Sequence, residues 1–180
     1  DRRRAGVCAR SGVTAARRNR GPGRLVRRGD PALGMERGGV AWSTIKVPLA
    51  LAVAARDTAE LVEELIDLAL TVSDNVAAYA LWERLGSQEL AGAAVQEILL
   101  AAGDTTTRVE TQVLRAGFTP FGQTQWTLAA QAQLMAALPG LPHADGIRDR
   151  MRRVVPEQCW GLGALGADVE LKGGWGPDPD

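Results

Sequence analysis

The sequence predicts a mostly helical domain with a single strand candidate close to its C-terminal end. Three observations predict it. Apolar segments separated by helix caps run from Val40 to about Arg153, one short stretch at 168–172 reads as a strand, and a hydrophobic share of 46% suits a globular chain.

The elements follow in order. Residues 1–38 show neither strand alternation nor a helical stripe, and hold eleven Arg against three acids. They read as a basic Arg-rich arm, disordered or translated out of frame, set apart from a domain over 39–180. Residues 43–56 form an apolar helix opened by Ser43, with Pro48 early enough to be tolerated. Asp57 followed by Glu60 resembles a capping box for a helix over 58–70. Ser73 or Asp74 caps the next, which runs to Leu85 and stops at Gly86. Ser87 opens a helix to about Ala102, closed by Gly103. Residues 104–123 read as a long loop, and helices follow at 125–138 and 144–153. Residues 168–172, closing on Lys172, are the strand candidate.

Composition narrows the function. No apolar run approaches the ~18 residues that span a bilayer. No secretory signal is visible, because residues 1–30 lack an apolar core of ~7–15 residues. Cys8 and Cys159 sit far apart without metal-ligand spacing and read as unrelated thiols. The single histidine, His143, lies in a turn with no second ligand for zinc. The net charge of zero divides into +8 over 1–38 and −8 over 39–180. The arm carries no aromatic residue for base stacking, so nucleic acid is not expected as a partner.

Three short motifs carry the chemistry. Ser43-Thr44-Ile45-Lys46 places a hydroxyl and an amine at i and i+3, on one helix face. A serine hydroxyl needs a base, and a lysine serves once burial depresses its pKa. Ser73-Asp74-Asn75 falls at a loop-to-helix junction, where Ser73 can relay a proton and Asn75 can orient Lys46 or a substrate amide; an ordinary N-cap is the alternative. Lys172-Gly173-Gly174 offers a positive charge beside bare glycines along which a substrate backbone can lie, or a plain Gly-rich turn. Of 21 basic residues, 19 are Arg; the two lysines, Lys46 and Lys172, both fall in motifs. Arginine is not readily deprotonated, so a base must be lysine.

In this order the motifs resemble the S-x-x-K, S-D-N and K-T-G signature of serine β-lactamases and penicillin-binding proteins. GDTTTRVE (103–110) is similar to the start of the Ω-loop of class A β-lactamases, and GQTQWTLAAQAQLMAAL (122–138) to the helix after it. The resemblance covers about 40–180. It implies an α+β, D,D-peptidase-like fold, with an all-helical lobe packed on an antiparallel sheet that is incomplete in this chain. It also implies an oxyanion hole from the backbone N–H groups of Ser43 and Trp175.

The sequence departs from that pattern in four places. Val113 stands where the hydrolytic enzymes carry the Ω-loop glutamate, and Gly117 where they carry an asparagine. Gly173 replaces a hydroxyl residue that binds the substrate carboxylate. The thirty residues between the first two motifs predict a reduced helical lobe. Finally, the flanking strands of the sheet are expected to be missing, leaving the chain truncated.

These readings combine into a serine acyl-enzyme hydrolase of the penicillin-recognising class, acting on β-lactam or cell-wall peptide amides with slow deacylation. Ser43, Lys46, Ser73, Asn75 and Lys172 are the expected catalytic residues, and Gly173, Gly174 and Trp175 line the substrate site. No metal or cofactor is called for. A monomer outside the cytoplasmic membrane is expected. The alternatives are a non-catalytic relative that binds penicillin or cell-wall peptide, and a helical interaction protein whose motifs are only caps.

Overall fold

The chain becomes helical where its apolar segments can bury a face, and α-helix dominates the result. The structure, a computed structural model, describes residues 38–165 and 169–177. The expected arm lies outside these residues except for Gly38, which opens a strand. Among the described residues the order is β1 (Gly38–Val40), α1 (Lys46–Ala54), α2 (Glu60–Thr71), α3 (Asn75–Arg84), α4 (Gln88–Ala101), β2 (Gln125–Thr127), α5 (Leu128–Ala137) and α6 (Ala144–Arg152). No helix among them is long and apolar enough to cross a membrane.

Helix α1 is the centre. All nine of its residues, Lys46 to Ala54, are buried, the condition of a helix apolar on every side. It packs against α2, α3, α4 and α6. Each fully buried Leu or Ile here contributes roughly 1.5–3 kcal/mol relative to exposure. Pro48 is the third residue of the helix, where its missing N–H would have had no intrahelical partner. Helix α2 is amphipathic instead: it buries Val62, Ile66 and Leu70 at i, i+4 and i+8 and keeps Glu60, Glu63 and Glu64 exposed.

Most of the expected caps hold. Asp74 caps α3, accepting from the Ala77 N–H at 2.7 Å, and Ser87 caps α4 through the Leu90 N–H. Helix α4 ends with Gly103 at φ 88° and the Asp104 N–H returning to the Leu99 carbonyl at 2.9 Å, a Schellman closure. Two expectations need correction. Asp57 does not form a capping box; Ala59 is the N-cap of α2, and Asp57 accepts from the Ala59 N–H in a local turn. Cys159 is disulfide-bonded rather than an independent thiol; Cys8 lies outside the described residues.

The sheet differs most from expectation. It is a two-stranded antiparallel pair, β1 with β2, in the register Gly38↔Thr127, Gly39↔Trp126 and Val40↔Gln125. Residues 169–172, expected as the strand, are not paired with any described strand. They are held by side chains instead. Glu170 accepts from Arg148 at 2.9 Å and pairs with Arg152, both on α6, while the Leu171 N–H reaches the Met151 carbonyl at 3.1 Å. Without a neighbouring strand there is no ladder to define one.

The long loop after α4 is built on one buried carboxylate. Asp104 is 2% exposed; its Oδ1 accepts from the Thr106 N–H, the Thr106 hydroxyl and the Thr107 N–H, each at 3.0 Å, and its Oδ2 from the Trp126 indole at 3.2 Å. Burial pushes its pKa up, but the hydrogen bonds from Thr107 and Thr106 outweigh this and hold it below the usual value. Asp104→Ala should cost about 2–4 kcal/mol, because it strands buried donors. The folded-state pKa is lowered, so the contribution of Asp104 is present above the unfolded carboxylate pKa and lost as pH falls through the folded one. Urea unfolding at pH 7 and pH 4 checks both points: the gap between wild type and variant should narrow at the lower pH.

Candidate active site

Ser43 enters through a strained turn. It is the second residue of a 3₁₀ turn, Trp42–Ile45, that hands over directly to α1. Trp42 before it has φ 47°, in the left-handed region that bulky residues rarely adopt. Lys46 is then the first residue of α1, one turn beyond Ser43.

The Lys46 side chain is buried, 2% exposed, and its ammonium meets oxygens from one turn only. It donates to the Ser73 carbonyl and the Asn75 Oδ1, each at 2.7 Å, and more weakly to the Asp74 carbonyl at 3.2 Å and the Ser73 Oγ at 3.4 Å. That turn joins α2 to α3. Ser73 has φ 60°, a conformation usually left to glycine after a helix, and the Asp74 N–H closes back on the Leu68 carbonyl at 3.1 Å. The three residues therefore divide the work: Asp74 caps α3, while Ser73 and Asn75 face the lysine. This departs from a plain N-cap, in which only one of them would have a function.

Lys172 arrives from the other end of the chain. It donates to the Ser73 Oγ at 2.7 Å and to the Gly173 carbonyl at 3.0 Å. The Ser73 oxygen thus accepts from both lysines, which turns its own O–H proton away from them. Burial lowers the Lys46 pKa to about 8, with the Asp74 charge opposing. Burial, reinforced by the positive charge of Lys46, lowers Lys172 to about 7.

Ser43, Lys46, Ser73, Asn75 and Trp175 line one cavity of about 530 Å³. Gly173 and Gly174 do not lie along it, and they are not bare. A Cβ at Gly173 would stand 2.8 Å from the Trp160 ring, and one at Gly174 would stand 2.9 Å from the Ala41 carbonyl and 3.1 Å from the Ser43 nitrogen. The chain itself fills the space expected for a substrate backbone, and this close approach brings Trp175 to the site. Among the described residues, the N–H groups of Ser43 and Trp175 have no hydrogen-bond acceptor. The Ser43 hydroxyl likewise makes no hydrogen bond to Lys46, whose N–H groups are taken by the α2–α3 turn.

Sequence reasoning missed Trp42, Phe118, Thr119 and Gln158, which also line the cavity. Only Trp42 carried a signal, as a large aromatic directly before the candidate nucleophile. Glu110, near the aligned Ω-loop position, has its carboxylate occupied by the N–H groups of Thr111 and Gln112 at 2.9 and 2.7 Å. Val113 is 58% exposed.

Two lysines depressed by burial leave a trace in stability. The unfolded chain binds protons on them up to about 10.5, whereas the folded one releases them from about 7 and 8. Stability should therefore rise with pH across that window. Lys172→Met should flatten the rise, measured as melting temperature from pH 7 to 10. An unchanged slope would contradict the burial argument.

Two comparisons bear on what such a site belongs to. None of the curated proteins compared with the chain matches it. Residues 55–154, more than half of the chain, match the beta-lactamase enzyme family. The matched span includes Ser73, Asp74, Asn75 and the loop after α4; Ser43, Lys46 and Lys172 lie on either side of it. The chain belongs to the beta-lactamase enzyme family.

Proposed function

We propose that the protein is a serine acyl-transferring hydrolase of the β-lactamase-like or D,D-peptidase-like type, acting on β-lactam or cell-wall peptide amides outside the cytoplasmic membrane and releasing product slowly. The observation that carries this reading is the meeting of Lys46 and Lys172 on the Ser73 hydroxyl, beside a cavity that Ser43 lines. Buried titratable groups with shifted pKa values cluster at functional sites, and Lys46 lines the cavity.

The chemistry follows from the hydrogen bonds. Neutral Lys46 keeps its two 2.7 Å donations and forfeits the weaker ones, which frees a lone pair. Ser43 Oγ attacks the carbonyl carbon, and its proton passes to Lys46 Nζ. The carbonyl π electrons move to oxygen, where the N–H groups of Ser43 and Trp175 can receive the charge. On collapse the C–N bond breaks. Ser73 gives its proton to the leaving nitrogen and is reprotonated from Lys46, leaving a neutral lysine and an acyl-Ser43. Lys172 supplies positive charge for an anionic substrate group. Such a substrate draws the shared proton onto Lys172 and so favours neutral Lys46.

Deacylation lacks an evident base. None of the described residues lining the cavity is acidic, and losing a general base costs ~10²–10⁴ in rate. A non-catalytic binding relative is the second reading, favoured by the absence of a Ser43–Lys46 hydrogen bond.

Intact-protein mass spectrometry with a reactive β-lactam separates the two. The enzyme reading expects a mass gain on Ser43 that persists for minutes. It expects no gain for Ser43→Ala and a ~10²–10⁴-fold slower gain for Lys46→Ala. Binding without mass gain would support the second reading. Val113→Glu should not speed release, since that side chain is exposed and away from the cavity. The acylation rate should be bell-shaped in pH, with flanks near 7 and 8, because the productive pair carries one proton. A rate that rises steadily to pH 10 would show that the charge on Lys172 is not needed.

A further inference from the structure

Apart from Phe121, which is buried in the core, three aromatic side chains on the cavity wall are used by no step of this chemistry: Trp42, Phe118 and Trp175. Trp42 and Phe118 are half-buried, with ring centroids 5.2 Å apart and planes tilted by 56°. The guanidinium carbon of Arg115 lies 5.3 Å from the Phe118 centroid. Trp175 is 78% exposed. It belongs to the same rim, because its neighbour Gly176 lies flat on the Trp42 indole; a Cβ there would be 2.1 Å from Trp42 Cε2.

Each feature has a cost that packing alone does not explain. A bulky residue in the left-handed region is strained, and such strain clusters at functional sites. An exposed indole leaves a large apolar surface in water. Placed around a concave site next to a nucleophile, these surfaces are complementary to a flat ring. The cavity has no carboxylate, Lys46 lines it, and the Lys172 ammonium stands 2.7 Å from the Ser73 Oγ on its wall, so it is also complementary to an anion.

We propose that Trp42, Phe118 and Trp175 form an aromatic collar that selects acyl donors bearing an aromatic ring beside the scissile carbonyl, together with an anionic group. This rests on the acyl-transfer reading above and narrows its substrate class. It favours aryl-substituted lactams over peptides that end in small aliphatic residues.

The test uses two penams that differ only in the amide substituent, phenylacetyl against acetyl. Binding to Ser43→Ala is measured by calorimetry, so that no covalent step contributes. The phenylacetyl compound should bind at least about tenfold more tightly, the ratio expected when a ring gains contact with aromatic partners. Trp175→Ala, an exposed position that the fold does not need, should reduce the ratio to about two- to threefold; Phe118→Leu, checked for retained helix by circular dichroism, should do likewise. Equal affinities, no binding of either compound, or a ratio unmoved by Trp175→Ala would overturn the collar. The same pair mixed with the wild-type chain tests the underlying reading separately. Discrimination without mass gain on Ser43 would remove the acyl-transfer reading and keep the collar, whereas mass gain without discrimination would do the reverse.

Discussion

The ammonium of Lys46 is the constraint on which the site depends. It begins α1, every residue of which is buried, where an unpaired charge would cost several kcal/mol. No carboxylate meets it. Its partners are the backbone carbonyls of Ser73 and Asp74 and the amide oxygen of Asn75, and these converge only because Ser73 adopts a left-handed conformation. Helices α2 and α3 are thus joined by a turn whose shape is set by a lysine on a third helix. A glycine would take that turn at less strain, but it would remove the hydroxyl that both lysines share.

The second lysine makes the arrangement harder to read as structural. Two ammonium groups donate to one oxygen, and each lowers the favourability of charge on the other. An ion pair added for stability would bring opposite charges together. Here the protein uses its carboxylates elsewhere: Asp74 caps α3, and Glu170 anchors the approach to Lys172 by pairing with Arg148 and Arg152. The like charges are kept within reach of a hydroxyl and a cavity. That is a poor way to hold a fold.

Much of this was legible in the sequence, for definite reasons. Lys46 and Lys172 stood out because arginine serves every other basic position. The helices were legible from apolar spacing and from Ser87, Asp74 and Gly103 at their ends. The strands were not: β1 and β2 have three residues each, too few for alternation to show. The segment before Lys172 carries the alternation of a strand yet has no described partner, since pairing depends on a neighbour and not on local pattern. The aromatic residues at the cavity were hidden for a similar reason. Trp42, Phe118 and Trp175 come from three distant segments with no common period, and only the fold brings them to one rim.

The loop after α4 holds its course by interactions that ask nothing of the cavity. Its architecture rests on Asp104, which gathers three donors from Thr106 and Thr107 and the Trp126 indole, and on Gln96, whose amide bonds the Thr107 carbonyl and the Val109 N–H. None of these interactions needs an acid at the cavity. Glu110 turns its carboxylate back on the loop's own N–H groups, and Val113 faces water. What the loop does present is Gly117, Phe118 and Thr119. A segment held this firmly by a buried carboxylate needs no side chain at the cavity to keep its course. The wall it offers to the cavity is aromatic, with Phe118 against Trp42, rather than acidic.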